Sequence, residues 1–125
     1  MNSPLLDDLL NPLNCHFAEA RVAYGQYSAS GGRFKFAQEL RRINLSARQL
    51  LVGKNHLLPD QWQADALALV AHYDKWLKLW TEHRSATKPR PDDIFTFENS
   101  HTYPKASEVR LERLREELLN PADGQ

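Results

Sequence analysis

Apolar residues recur along most of this chain at alternating intervals of four and three positions, the spacing of one face of an α-helix. The longest such stretch begins near Asp60 and continues to Trp80 or His83. Its apolar stripe consists of Trp62, Ala66, Leu69, Tyr73, Trp76 and Trp80, with Val70 and Leu77 beside it. We therefore predict a long amphipathic helix whose aromatic rings share one inward face.

Three helical regions precede it, and the first two lie before residue 28. Ser3-Pro4 is typical of a helix start, and we expect Asn11-Pro12 to end this short segment, because a residue before proline avoids the helical conformation. A second stretch then carries its apolar stripe on Leu13, Phe17, Ala20, Tyr24 and Tyr27. The small and flexible residues at 28–32 predict a turn after it.

The next helix is predicted from Arg33 to Val52. Its apolar stripe is Phe36, Leu40, Ile43, Ala47 and Leu50, again at intervals of four and three. Gly53 follows at the position where a left-handed glycine commonly ends a helix. We therefore expect the helix to stop at this glycine.

A long connection, from Arg84 to Tyr103, follows the third long helix. Pro89 and Pro91 exclude a regular helix there, and 94–98 alternates like a short strand without an evident partner. We expect an ordered, extended segment with Phe95 and Phe97 turned inward. The last helix is predicted from Tyr103 to Leu119 with a narrow stripe of Leu111, Leu114 and Leu118.

Length and composition fit one folded domain. The chain has 125 residues, 42% of them hydrophobic, with 16 basic and 16 acidic side chains. Domains of about 100–150 residues are the commonest size. We predict an all-α fold, a small antiparallel helical bundle of three long helices plus a C-terminal helix, with one long ordered loop. The domain is expected to span 1–121, with 122–125 as a tail.

Sequence features also indicate a compartment. A lone Cys15 excludes an internal disulfide and a cysteine-based zinc site. No apolar run approaches the ~18–20 residues of a membrane helix, and the N-terminus lacks the basic start of a secretory signal. We expect a cytoplasmic protein that does not associate with a membrane.

Charge is balanced in total but uneven along the chain. Residues 33–54 hold six bases and one acid. Within them Arg41, Arg42 and Arg48 project away from the apolar stripe, forming a candidate face for an anionic partner. An ordinary solvated helix face explains the same residues, and a net charge of zero argues against non-specific binding of nucleic acid.

Aromatic residues are concentrated at the end of the third long helix and in the long loop. Because aromatic and arginine side chains are enriched at interfaces, we consider a partner-binding surface there. Its members are Trp76, Trp80, Phe95, Phe97 and Tyr103, with Arg84, Lys88 and Arg90 from the same region. The alternative is that the rings form the end of the core. Both interpretations hold if one or two rings, Trp80 and Phe97, stay partly exposed.

Support for catalysis is weak. A di-metal bundle site needs inward carboxylates and Glu-x-x-His pairs on helices, and the single Glu-x-x-His, at 98–101, falls in the loop. Asp65 and His72 are two turns apart, too far for a direct hydrogen bond. No metal or cofactor is expected.

Three functions remain open. The first is a non-enzymatic protein–protein interaction or assembly module, an accessory or regulatory subunit. Self-association is an additional hypothesis, through apolar residues off the main stripes (Leu45, Leu67 and Leu79). The second is a nucleic-acid-binding accessory subunit that uses the basic helix, and the third is a hydrolase or nuclease built on His72, His101 and nearby acids.

Overall fold

A computed structural model describes residues 3–99 and 101–120. The described residues form an all-α fold of antiparallel helices, which confirms the predicted class. The helices are α1 (Asn11–Ala29), α2 (Phe34–Lys54), α3 (Gln63–Thr87) and α4 (Lys105–Leu119). The predicted tail at 122–125 lies outside the described residues.

The chain does not break at Asn11-Pro12, so the prediction of a separate first helix is wrong. A π-helix, Leu5–Leu10, runs directly into α1, and the Asn11 N–H donates to the Leu6 carbonyl. Pro12 lies in the first turn of α1, where a proline is tolerated. Continuing the helix buries Leu9 and Leu10 in the core, and this burial favours it over a turn.

The ends of α2 and α3 also differ from the predictions. Gly53 is helical rather than left-handed, and α2 continues through Lys54 before a short 3-10 helix, Asn55–Leu57. A second 3-10 helix, Asp60–Trp62, leads into α3, which extends to Thr87. Lys88 then adopts a left-handed conformation, with φ of 46°, and ends α3. Arg84 therefore belongs to the helix and not to the loop.

The main core lies between the π-helix, the first half of α1, the second half of α2, the first half of α3, and α4. Its buried members are Leu9, Leu10, Leu13, Phe17, Ala47, Leu51, Leu58, Ala66, Leu69, Tyr73, Leu111 and Leu114. A smaller cluster, Ala23, Leu40 and Ile43, joins α1 to α2. The predicted stripes of α1 and α3 are therefore buried in the first half of each helix, at Leu13 and Phe17 in α1 and at Ala66, Leu69 and Tyr73 in α3.

An aromatic cluster forms the other end of the core, where the loop covers α2 and α3. Phe95 is 0% exposed and packs on Phe34 and Trp80, with ring centroids 5.0 and 5.2 Å away. The Phe95 N–H donates to the Gly32 carbonyl at 2.7 Å. This confirms an ordered, extended segment with Phe95 inward, and shows that its backbone partner is the α1–α2 turn.

Several residues predicted to face inward are not fully buried; among them are Trp62 and Trp76 of the third stripe, which are half-buried. Tyr24 is 62% exposed and Leu118 is also exposed. Phe36 and Leu50 are half-buried, whereas Phe34 and Leu51 are buried in α2. The helices cross, so neighbouring helices cover each stripe only along part of its length.

No helix among the described residues is long and apolar enough to cross a membrane.

Candidate functional site

A cleft of about 590 Å³ lies between α1, α2, α3 and the loop. Small-molecule and anchor pockets have volumes of about 300–1,000 Å³, so the cleft is large enough to hold a ligand or a partner side chain. Eight aromatic rings contribute to its lining: Phe17, Tyr24, Tyr27, Tyr73, Trp76, Trp80, Phe97 and Tyr103. We call this feature the aromatic cleft.

Hydrogen bonds to the backbone fix several of these rings. The Trp80 indole N–H donates to the Ala37 carbonyl at 3.2 Å, which ties α3 to α2. The Tyr27 hydroxyl donates to the Phe95 carbonyl at 2.5 Å, which ties the loop to α1. Phe97 then packs on Trp76 with ring centroids 5.9 Å apart. These contacts hold the aromatic rings of the cleft walls in fixed positions.

One side of the cleft carries a buried carboxylate, that of Glu108, which is 3% exposed. Its Oε1 accepts a 2.7 Å hydrogen bond from the Tyr103 hydroxyl. Its Oε2 accepts hydrogen bonds from Arg21, at 3.4 Å, and from Lys105. A second nitrogen of Arg21 lies 3.9 Å from Glu112. The two cations beside the cleft are therefore balanced by two carboxylates.

Two phenols of the cleft, those of Tyr73 and Tyr103, stay neutral at ordinary pH. Burial raises the pKa of Tyr73 to about 12, because the charged phenolate is poorly solvated. Burial also raises the pKa of Tyr103, with the buried Tyr73 and the Glu108 carboxylate acting in the same direction. These two side chains can exchange hydrogen bonds with a ligand but carry no charge.

His72 lines the cleft beside Tyr103, with ring centroids 5.0 Å apart in an edge-to-face arrangement. Its Nδ1 is buried and has no hydrogen-bond partner among the described residues. Burial, with a smaller contribution from His101, lowers the pKa of His72 below its ordinary value of 6.5. The cleft therefore holds a neutral imidazole.

The structure brings together only part of the predicted aromatic surface. Trp76, Trp80, Phe97 and Tyr103 line the cleft. Phe95 is fully buried behind them, and Trp80 is only 4% exposed, so the expectation of a partly exposed Trp80 is wrong. The basic residues predicted for the same surface, Arg84, Lys88 and Arg90, do not line the cleft.

The cleft also contains residues that sequence reasoning did not select. Tyr24 and Arg21 come from α1, Asn44 from α2, and Asn99 from the loop. Tyr24 was assigned to the core because it continues the apolar stripe of α1. The exposure of Tyr24 depends on how much of α1 is covered by α3 and the loop. The residues around Tyr24 in the sequence do not indicate where this cover ends.

The predicted anionic-partner face on α2 is divided by ion pairs. Arg42 contacts Glu39 at 2.5 Å and Glu19 at 3.4 Å. Arg48 contacts Asp74 of α3 at 2.6 Å. Arg41 instead lies over the Trp80 ring, 5.2 Å from its centroid. The three arginines therefore do not present one continuous basic surface.

Among residues 3–99 and 101–120, no group of three or more His, Cys, Asp or Glu side chains is arranged to hold a metal ion. His16 pairs with Glu19 on the surface of α1, at 3.3 Å. Asp65 accepts hydrogen bonds from Ser107 and Arg110, so it joins α3 to α4 and is not paired with His72. These residues have evident structural contacts.

Comparisons of the chain with protein families, with characterised proteins and with solved structures gave no match. The functional interpretation therefore rests on the geometry of this chain. The aromatic cleft combines fixed rings with neutral polar groups.

Proposed function

We propose that this chain is a non-enzymatic binding module that takes an uncharged apolar or aromatic side chain of another protein into the aromatic cleft. The observation that carries the proposal is the cleft itself, about 590 Å³ and lined by aromatic rings from α1, α3 and the loop. Burying a large apolar side chain contributes about 1.5–3 kcal/mol, which is enough to act as an anchor for a partner.

The electrostatics favour an uncharged anchor. Arg21 and Lys105 are balanced by Glu108 and Glu112. The buried phenols of Tyr73 and Tyr103 are neutral, and so is His72 at physiological pH. A charged side chain would lose its hydration in the cleft without gaining a free counter-charge. The amides of Asn44 and Asn99 and the Tyr24 hydroxyl supply hydrogen bonds for the backbone on either side of an anchor.

A protein partner is favoured over a small enclosed ligand by Tyr24. This ring lines the cleft and is 62% exposed, so it extends the apolar wall to the protein surface. Exposed aromatic rings beside a pocket are typical of interface hot spots, where tyrosine is enriched. The same ring can be altered without disturbing the core.

The test is selection from a displayed library of random peptides with the whole chain as bait, followed by measurement of dissociation constants. We expect enrichment of peptides with one aromatic or large aliphatic anchor, and at least a tenfold loss of affinity in Tyr24→Ala. Leu67→Ala is the matched control, because Leu67 is 59% exposed on α3 and does not line the cleft. Equal loss in both variants, or enrichment without an apolar anchor, would refute the proposal.

A further inference from the structure

Three cations collect on another face of the molecule, where α2 passes the end of α3. Arg41 and Arg84 line one cavity of about 380 Å³ together with Gln38 and Thr81. Arg84 also lines an adjoining cavity with Ser85, Lys88 and Pro89. We call Arg41, Arg84 and Lys88 the basic strip. It arises because α3 continues to Thr87, which places residues 81, 84, 85 and 88 on one face at intervals of three and four.

Members of the basic strip differ from other cations of the same region in having no acidic partner. Lys35 pairs with Asp92, Arg90 with Asp93, and Arg42 and Arg48 with acids of their own. No carboxylate of the described residues lies within 4.0 Å of a charged nitrogen of Arg41, Arg84 or Lys88. Their charges are thus available to a ligand.

Arg41 is also positioned in advance of binding. Its guanidinium lies over the face of Trp80, 5.2 Å from the ring centroid, and Trp80 is itself fixed to Ala37. A cation over an aromatic face is held there by the ring quadrupole. Its Nε is buried and has no hydrogen-bond partner in the described part of the chain. A guanidinium that is already held in one position loses little entropy when it binds an oxyanion.

We propose that the basic strip binds a phosphate monoester, a site distinct from the aromatic cleft. Such a group carries about −1.5 to −2 charges and three acceptor oxygens. It therefore matches the guanidinium groups of Arg41 and Arg84 in one cavity, with the Lys88 ammonium in the adjoining cavity, better than a single carboxylate does. The hydroxyls of Thr81 and Ser85 and the amide of Gln38 add neutral donors on the same face. A free phosphate compound and a phosphorylated side chain of a partner offer the same chemistry.

The direct test is NMR titration of the full chain with inorganic phosphate at pH 7.5, with ionic strength held constant by sodium chloride. The indole N–H of Trp80 and the Nε–H of Arg41 are the reporters. We expect the chemical shifts of these resonances to change and then saturate as phosphate is added. The dissociation constant for phosphate should be at least tenfold larger in Arg84→Gln and in Arg41→Gln. Arg84 is exposed and lies outside the core, so we expect Arg84→Gln to fold normally. This variant therefore tests the proposal even if Arg41→Gln fails to fold.

Arg48→Gln is the matched control, because it removes the same charge from an arginine already paired with Asp74. Linear shifts without saturation, or an equal loss of affinity in Arg48→Gln, would overturn the proposal. Two peptides, with phosphoserine and with glutamate at the same position, identify the source. Tighter binding of the phosphoserine peptide than of inorganic phosphate assigns a phosphorylated partner, and equal affinities assign free phosphate compounds. If the glutamate peptide bound as tightly as the phosphoserine peptide, the result would contradict a phosphate site.

Discussion

The hydroxyl of Tyr27 donates its hydrogen bond to the backbone carbonyl of Phe95, a residue 68 positions later in the chain. Tyr27 lies at the end of α1, and Phe95 is the fully buried centre of the loop. This bond, with the one from the Phe95 N–H to Gly32, holds the loop on both sides of its buried ring. The loop therefore keeps Phe97 against Trp76 in the wall of the aromatic cleft.

Tyr27→Phe should destabilise the protein by about 1–2 kcal/mol, because it leaves the carbonyl of a fully buried residue without its hydrogen-bond donor. Urea unfolding measures the free energy, and hydrogen exchange should show faster exchange of the amides at 95–97. Tyr24→Phe is the control, since Tyr24 is exposed, and it should change stability by less than about 0.5 kcal/mol. Equal effects of the two variants would show that the bond does not hold the loop.

Gly32→Ala should also destabilise the protein, by about 1–2 kcal/mol or more. Gly32 has a φ of 87°, and an added Cβ would lie 2.7 Å from the Thr96 side chain, beside the loop. Gly25→Ala is the matched control in α1, where an added Cβ meets nothing within 4 Å. This second change should stabilise the helix by about 0.5–1 kcal/mol. Thermal unfolding of both variants gives the comparison, and a stabilised Gly32→Ala would contradict the strained turn.

Glu108→Gln should cost about 1–3 kcal/mol, since the buried carboxylate accepts hydrogen bonds from Tyr103, Arg21 and Lys105. The amide of glutamine presents a donor where one of these donors now points. Glu117→Gln on the exposed side of α4 removes the same charge and should have little effect. Urea unfolding measures the free energy of unfolding of both variants. If the two variants lost the same free energy, the cost would be due to the change in net charge alone.

His72 predicts a dependence of stability on pH. Its folded pKa is lowered from 6.5 by burial and by His101, with the neutral phenols of Tyr73 and Tyr103 beside it. Below pH 6.5 the unfolded chain therefore binds more protons at this residue than the folded one. The contribution of His72 to stability is full above pH 6.5 and declines as the pH falls towards the folded pKa, by at most about 1.4 kcal/mol per pH unit.

Urea unfolding between pH 5 and pH 8 measures this dependence in the wild type and in His72→Gln. We expect the variant to lose less stability than the wild type as the pH falls below 6.5. His56→Gln is the control, because His56 is exposed in the connection between α2 and α3, and its profile should follow the wild type. If the free energy of unfolding of His72→Gln fell with pH as steeply as that of the wild type, the pH dependence would belong to groups other than His72.

The course of the main helices follows from local rules. Apolar residues at intervals of four and three must share one side of a helix, so α2 and α3 could be located from their stripes. The ordering of the loop was also predictable, because the loop carries the apolar rings of Phe95 and Phe97, which are stabilised by burial against the helices. The continuation through Pro12 was not, since it depends on what Leu9 and Leu10 contact once the helices have packed.

The periodic elements of this protein, and the inward direction of many of their apolar residues, follow from the order of its amino acids alone, because helical geometry relates neighbours a few positions apart. The packing of the helices was needed to establish that Tyr24 borders a cleft, that Arg48 of α2 pairs with Asp74 of α3, and that Arg41 and Arg84 line one cavity. Each of these depends on the rotation and axial position of one helix against another. Those quantities come from the packing of whole surfaces, and no short stretch of sequence specifies them.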